Sequence, residues 1–145
     1  MKIGFIGLGN VGFKLANSLL EAGFDISIYD LDRSTAQQLE NSGAKWVNSP
    51  REISDSCNIC ITCLPSPSTV SKVLEGEDGL LKGLSEGKLW IEMSTTDSNE
   101  MNRLSELVAN KGSFALEAPV SGGCHRASTG NIAILVGGSR KAFEM

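Results

Sequence analysis

Short apolar runs alternate with amphipathic segments along most of this chain. Strands are predicted in the first half of residues 2–12 and at residues 25–29, 45–47, 59–64, 88–93, 113–118 and 132–136. Helices are predicted between them at residues 11–22, 34–41, 50–56, 69–75, 98–111 and 139–145. Strands that alternate with helices indicate an α/β fold, a doubly wound, mostly parallel sheet with helices on both faces.

Single residues set several of these boundaries. Gly23 is expected to close the first helix as a C-terminal cap, and Pro50 fits the first turn of the third helix. Ser34 is a candidate N-cap for the second helix. The pair Gly137-Gly138 is expected to turn the chain before the last helix.

A glycine-rich turn links the first strand to the first helix. Gly7, Gly9 and Gly12 form the pattern G-x-G-x-x-G within KIGFIGLGNVG. In a dinucleotide-binding βαβ unit these glycines make a tight turn, let the backbone approach the pyrophosphate, and let the helix pack closely on the strand. The phosphates then lie at the helix N-terminus, which attracts anions. The order of strand, turn and helix therefore predicts a Rossmann-type dinucleotide site.

Asp30 follows the second strand, 18 residues after Gly12. An acidic residue near this spacing bonds the ribose hydroxyls of NAD, and its charge repels the additional phosphate of NADP. NAD is therefore the predicted cofactor and NADP the less favoured one. Arg33 favours NADP instead, since an arginine here can hold a 2′-phosphate, but Asp32 adds a negative charge beside it. An ordinary polar strand end is the alternative interpretation of Asp30.

Two further polar segments follow predicted central strands, at the sheet edge where ligands bind in open α/β folds. LPSPST at residues 64–69 either faces the cofactor or simply connects a strand to a helix. STTD at residues 94–97 supplies the hydroxyls of Ser94 and Thr95, which could bond the nicotinamide half of a cofactor or cap the next helix. The pattern alone leaves both alternatives open.

Composition narrows the class of protein. The 145 residues are 41% hydrophobic and 21% charged, and no repeat or linker divides them, which predicts one domain over residues 1–145. The net charge of -4 disfavours nucleic-acid binding. The hydrophobic runs are too short for a transmembrane helix and the N-terminus does not resemble a signal peptide, so we expect no membrane association and a cytoplasmic location, or an organelle matrix after removal of a transit peptide.

Four cysteines invite a metal-binding interpretation. Cys57, Cys60 and Cys63 have the spacing C-x-x-C-x-x-C, and Cys124 follows later. The first three lie in CNICITCL, the buried segment around the fourth predicted strand, and on a strand steps of three residues alternate between faces and are roughly 10 Å apart. We therefore predict reduced, buried thiols and no metal site.

Five blocks of sequence carry a family resemblance. FIGLGNVG, YDLD, CLPSPSTV, IEMSTTD and EAPVSGG occur in that order and span essentially the whole chain. With these blocks the chain resembles the N-terminal domain of the β-hydroxyacid dehydrogenases. That family includes 3-hydroxyisobutyrate dehydrogenase, tartronate semialdehyde reductase, the glyoxylate/succinic semialdehyde reductases and, more distantly, 6-phosphogluconate dehydrogenase.

The resemblance implies specific site residues. It assigns substrate binding to Ser121, Gly122 and Gly123, where two glycines expose backbone N–H groups suited to an anion. It assigns cofactor binding to residues of the first four blocks: Gly7, Leu8, Gly9, Asn10, Val11, Gly12, Asp30, Leu64, Pro65, Thr69 and Thr95.

Several positions depart from the family pattern. Val11 replaces a common Met, and Thr69 replaces a frequent Asn while keeping a hydrogen-bonding group. Glu117 stands where the family usually has Asp. His125 and Arg126 replace small residues. They either reshape the substrate pocket or point into solvent, and we favour the second alternative.

The family's catalytic lysine lies in a glycine-rich helix that precedes an all-helical domain, through which these enzymes form homo-oligomers. Residues 1–145 contain no lysine in that context, so we expect no catalytic residue here and little activity from this chain alone. The prediction is a cofactor-binding domain of an oxidoreductase that transfers a hydride between NAD(H) and a small β-hydroxyacid or its semialdehyde. The alternatives are a non-catalytic dinucleotide-binding or assembly module, and an NADP-dependent reductase of the glyoxylate/succinic semialdehyde type.

Overall fold

The chain forms an α/β domain, as the alternating pattern predicted. The structure is a computed structural model that describes residues 1–145. Its strands are β1 (Lys2–Ile6), β2 (Asp25–Tyr29), β3 (Lys45–Trp46), β4 (Ile59–Thr62), β5 (Leu89–Glu92), β6 (Phe114–Glu117), β7 (Val120–Ser121), β8 (Ala133–Ile134) and β9 (Gly137–Gly138). Its α-helices are α1 (Gly12–Glu21), α2 (Gln37–Asn41), α3 (Pro50–Ser56), α4 (Pro67–Glu75), α5 (Ser98–Ala109), α6 (Gly123–Ser128) and α7 (Arg140–Phe143). Two 3-10 helices, Arg33–Ala36 and Leu80–Lys82, complete it.

Seven of the strands form one sheet in the order β3-β2-β1-β4-β5-β6-β9. Strands β1 to β6 are parallel, and only β9 runs antiparallel, beside β6. The chain builds outward from β1 to β3, returns to place β4 on the other side of β1, and then builds outward again to β6. The strand order therefore reverses between β1 and β4, which is the ligand-binding position of a Rossmann-type fold.

Helices cover both faces of the sheet, and each face has its own apolar core. Leu15 and Ala16 of α1, Leu39 of α2 and Ala127 of α6 pack with alternate β1 and β2 residues on one face. Helices α3, α4 and α5 pack on the other face around the fully buried Trp90. Burying a large apolar side chain in this way contributes roughly 1.5–3 kcal/mol.

Serine side chains cap the N-termini of α3 and α4. Ser49 accepts a hydrogen bond from the N–H of Glu52, with Pro50 in the first turn of α3, as predicted. Ser66 and Pro67 repeat this arrangement, and Ser66 accepts from the N–H of Thr69. Helix α4 therefore begins two residues before the predicted start at residue 69, because proline at the first helical position needs no N–H partner.

Three local predictions were wrong. The N-cap after β2 is Asp32 rather than Ser34, since the Asp32 carboxylate accepts from the N–H of Ser34. Gly137-Gly138 forms the short strand β9 against β6 rather than a turn, and the strand predicted at 132–136 shrinks to β8. The pairing of β7 with β8 and the six-residue helix α6 had not been predicted, because elements this short leave no clear periodic signal.

Helices of this chain are short. The longest, α5, has 12 residues, and none of them has the length and hydrophobicity needed to span a bilayer.

Candidate functional site

A cleft of about 900 Å³ opens at the carboxyl ends of β1, β2, β4 and β5. Its position coincides with the reversal of strand order, and its size is typical of a small-molecule or cofactor site. Ten of the predicted cofactor residues line it: Gly7, Gly9, Asn10, Val11, Gly12, Asp30, Leu64, Pro65, Thr69 and Thr95.

The three motif glycines have different structural reasons to lack a side chain. An added Cβ at Gly7 would lie 2.2 Å from the backbone oxygen of Cys63, and one at Gly12 would lie 1.9 Å from the backbone oxygen of Gly7. Gly7 also has a φ of 97°, which favours glycine. Gly9 differs, because an added Cβ there would meet no protein atom within 4 Å. Packing within the protein therefore explains Gly7 and Gly12 but not Gly9.

Asp30 connects the end of β2 to the glycine turn. Its Oδ2 accepts the N–H of Leu8 at 2.6 Å, and its Oδ1 accepts the N–H of Asp32 at 2.9 Å. The Leu8 side chain is buried in the core, so this predicted cofactor residue faces the protein interior and offers only its backbone to the turn. The Asp30 carboxylate is thus held at the rim of the cleft beside the turn.

Arg33 lies near this rim but is engaged elsewhere. Its guanidinium makes two hydrogen bonds to the Glu40 carboxylate, at 2.5 and 2.8 Å, and lies 4.3 Å from the centroid of the Trp46 ring. It is not among the residues that line the cleft. Hydrogen bonds from the hydroxyl and the N–H of Ser34 lower the pKa of the neighbouring Asp32 below its usual value, so a negative charge persists beside the site.

Ser94 joins the two strand ends on the other side of the cleft. Its hydroxyl accepts the N–H of Leu64 at 2.7 Å, and its own N–H donates to Oε1 of Glu92 at 2.6 Å. Ser94 and Leu64 line the cleft, whereas Glu92 is fully buried behind them. Burial raises the pKa of Glu92 above its usual value, the hydrogen bonds from Ser94 and Thr62 act in the opposite direction, and the charge of Glu117 raises it further.

Helix α4 contributes a wall that had been predicted only at its first turn. Lys72, Val73 and Gly76 line the cleft together with Thr69, at spacings that place them on one helical face. These residues follow the i, i+3, i+4, i+7 spacing of a helix, which is visible in the sequence, but only Thr69, four positions beyond Pro65, had been assigned to the site. Lys72 brings a positive charge to the lining.

The cysteines differ in burial: Cys57 and Cys60 are buried, Cys63 is half-buried, and Cys124 is exposed rather than buried. All four are free, and Cys63 is the one that lines the cleft. Burial raises the pKa of Cys63 to about 11, with the charge of Glu92 adding to the effect, so Cys63 is a neutral thiol at pH 7. Burial likewise raises the pKa of Cys60 to about 12. No group of three or more His, Cys, Asp or Glu side chains is arranged to hold a metal ion.

The predicted substrate residues lie beside the cleft rather than in its lining. Ser121, Gly122 and Gly123 are exposed, while the preceding Val120 does line the cleft. The chain reaches them from β6, whose carboxyl end lies on the same sheet edge as those of β4 and β5. His125 and Arg126 follow them on α6 and are also exposed.

Known proteins share this domain over its full length. The family described as the NAD binding domain of 6-phosphogluconate dehydrogenase matches residues 2–145. Mitochondrial 3-hydroxyisobutyrate dehydrogenase of Mus musculus is 35% identical over 141 residues, which are 97% of this chain and 42% of that protein.

Two solved structures have the same fold as this domain. Mycobacterium tuberculosis 3-hydroxyisobutyrate dehydrogenase with L-serine gives a TM-score of 0.92 at 27% identity, covering 99% of this chain and 48% of that one. Psf3 in complex with NADP+ and 2-OPP gives 0.94 at 27% identity, covering 98% of this chain and 50% of that one. The chain therefore spans about half the length of these relatives.

Proposed function

Because the chain belongs to the family of NAD-binding domains of 6-phosphogluconate dehydrogenase, we propose that it holds NAD(H) for hydride transfer to or from a small β-hydroxyacid or its semialdehyde. The predicted resemblance to 3-hydroxyisobutyrate dehydrogenases is confirmed at the family level. The chain is thus an NAD(P)-binding domain of an oxidoreductase family. The choice of NAD over NADP, the substrate and the site residues belong to the proposal.

Gly9 is the observation that supports the cofactor site most directly. The protein leaves open space where its side chain would be, although the neighbouring Gly7 and Gly12 are fixed by internal contacts. A glycine without an internal steric reason, at the turn before α1, fits a backbone that must approach a pyrophosphate closely. Asn10 and Val11 complete the turn at the same edge of the cleft.

Asp30 supports NAD rather than NADP. Its carboxylate lies at the rim of the cleft, where it can accept hydrogen bonds from ribose hydroxyls and repel a 2′-phosphate. Arg33, the residue that would favour NADP, is paired with Glu40. Lys72 in the cleft wall is the feature that supports the NADP alternative.

When bound, the nicotinamide would supply the hydride chemistry, while the protein supplies position and electrostatics. We propose that Thr95 and the Leu64-Pro65 pair contact the nicotinamide half. Ser121, Gly122 and Gly123 would hold the substrate's carboxylate or hydroxyl beside it. We place the lysine that moves the hydroxyl proton, and the helical domain through which the enzyme oligomerises, outside residues 1–145.

Calorimetric titration of the chain with NADH and NADPH tests this proposal. We expect NADH to bind more tightly, and Gly9→Ala to weaken NADH binding more than about tenfold with little change in stability, because the new methyl group meets phosphate rather than protein. Gly137→Ala is the matched control, since an added Cβ there makes only ordinary contacts, the nearest at 3.9 Å. Unchanged NADH affinity in Gly9→Ala would overturn the assignment of the turn.

Cofactor preference needs a separate variant. Asp30→Asn removes the charge and keeps one oxygen that can accept the N–H of Leu8, at the loss of the acceptor for the N–H of Asp32, whereas alanine would remove both acceptors. We expect Asp30→Asn to reduce the preference for NADH over NADPH. Tighter binding of NADPH than NADH by the unaltered chain would refute the role of Asp30, and binding of neither would refute the proposed function.

A further inference from the structure

Glu92 is a buried carboxyl group for which the proposed function gives no role. It lies at the carboxyl end of β5, its exposed fraction is 0%, and it does not line the cleft. A carboxyl group in such a position costs free energy unless its oxygens are hydrogen-bonded. The groups that its two oxygens bind therefore indicate what it does.

Both oxygens of Glu92 accept hydrogen bonds, one from the loop after β5 and one from the end of β4. Oε1 accepts the N–H of Ser94, 2.6 Å away, in the loop that follows β5. Oε2 accepts the hydroxyl of Thr62, 2.5 Å away, at the end of β4. That hydroxyl in turn accepts the indole N–H of Trp90 at 2.8 Å. The carboxyl group thus ties the end of β4 to the loop after β5.

Ser94 carries this connection into the cleft. Glu92 fixes the backbone of Ser94, and the Ser94 hydroxyl fixes the N–H of Leu64 at 2.7 Å. Both Ser94 and Leu64 line the cleft. Loss of the Glu92 carboxyl group would therefore free two loop segments that face the ligand, although Glu92 itself cannot touch it.

We propose that Glu92 is a positioning residue that sets the loops after β4 and β5 for the nicotinamide half of the cofactor. This inference rests on the proposed NAD(H) site. The glycine turn and Asp30 mark the adenosine side of that site, and the reversal of strand order between β1 and β4 places the other half of the dinucleotide over β4 and β5.

Comparing two ligands separates positioning from general stabilisation. ADP-ribose contains the adenosine, the pyrophosphate and the second ribose of NADH and lacks only the nicotinamide ring. Glu92→Met removes both hydrogen bonds at similar volume. We expect it to weaken NADH binding about tenfold, because the backbone of one residue must then be ordered when the cofactor binds. ADP-ribose binding should change less than about twofold. Glu92→Gln keeps an oxygen for Ser94 and a donor for Thr62, so it should restore most of the NADH affinity.

Ser113→Ala is the matched structural control. Its hydroxyl donates to the backbone oxygen of Ser85 at 2.6 Å, before β6 and away from the cleft, so its loss should not change the ratio of NADH to ADP-ribose affinity. If Glu92→Met does not fold, Ser94→Ala must show the same selective loss of NADH binding. An unchanged ratio in the folded variant overturns the positioning role alone, whereas failure of the unaltered chain to bind either ligand overturns the NAD(H) site and this role with it.

Discussion

The two sides of the cleft are held in shape by different physical means. At the ends of β1 and β2 the turn is closed by steric contact, since an added Cβ at Gly7 or Gly12 would lie within 2.2 Å of a backbone oxygen, in addition to the single hydrogen bond that Asp30 accepts from the N–H of Leu8. At the ends of β4 and β5 the loops are fixed by hydrogen bonds that run from Glu92 through Ser94 to Leu64.

The difference explains what each side can adapt to. A steric constraint tolerates one residue type and gives a rigid turn, which suits the invariant pyrophosphate group of a dinucleotide. A hydrogen-bond network can be rebuilt with other polar residues, and it transmits changes from the interior to the surface. We therefore expect substitutions at the sterically closed Gly7 and Gly12 to act mainly on folding, and substitutions in the hydrogen-bond network to act mainly on ligand position.

Gly12→Ala should produce the largest effect. Its Cβ would lie 1.9 Å from the backbone oxygen of Gly7, so α1 would have to move away from the turn. We expect a loss of about 3 kcal/mol in the free energy of unfolding, near the upper end for overpacking, and a fall of roughly 6–12 °C in Tm. Thermal unfolding monitored by circular dichroism measures this.

Gly9→Ala is the control for that measurement, because its added Cβ meets no protein atom within 4 Å. The two variants should therefore lose different properties: Gly12→Ala should lose stability, and Gly9→Ala should lose cofactor affinity. Equal stability in both variants would show that the turn is not sterically closed.

The same contrast explains what the sequence could predict. Gly7, Gly9 and Gly12 form a contiguous pattern between a strand and a helix, and Asp30 follows at a characteristic spacing, so that side of the cleft was predictable. Most strand and helix positions were also correct, because each has several residues of periodic pattern. The start of α4 was placed too late because Pro67 was interpreted as part of a loop.

The network behind β4 and β5 could not be predicted in this way. Glu92 and Thr62 are 30 residues apart, and they meet only because β4 and β5 pair in register. Which strands are neighbours, and which face each residue presents, depends on the whole sheet. The pairing of Gly137-Gly138 with β6 escaped prediction for the same reason, since its partners Glu117 and Leu116 are 20 and 22 residues away in sequence.

Glu92 should also give the domain a distinctive pH dependence, smaller than the effect of Gly12→Ala because hydrogen bonds offset part of the cost of burial. Burial raises the pKa of Glu92 above its ordinary value of 4.5, so the native state binds the proton more tightly than the unfolded state. The resulting stabilisation is fully present below pH 4.5 and is lost as the pH rises through the raised pKa. Relative to Glu92→Gln, the unaltered chain should therefore lose stability over this interval and then level off.

Urea unfolding at a series of pH values measures that difference. Glu117→Gln tests the cause, because the charge of Glu117 contributes to the raised pKa of Glu92 and its removal should narrow the pH interval. The stability curves of the unaltered chain and Glu92→Gln are compared from about pH 4, near the ordinary carboxyl pKa, to about pH 8. Parallel curves over this range would contradict the raised pKa of Glu92.

Arg33→Ala should have the smallest effect on stability and sharpens the contrast at the end of β2. Arg33 and Glu40 have side chains that are 54% and 30% exposed, so their ion pair is screened by solvent and should contribute only about 0.5 kcal/mol. Because the guanidinium is engaged by Glu40 and Trp46 rather than by the cleft, we expect the ratio of NADH to NADPH affinity to change less than about twofold. Titrations of Arg33→Ala and Glu40→Ala with both cofactors measure this. A selective loss of NADPH binding in Arg33→Ala would show that the ion pair between Arg33 and Glu40 opens to receive a 2′-phosphate. The end of β2, beside the sterically closed turn, would then also contain a side-chain network that rearranges for its ligand.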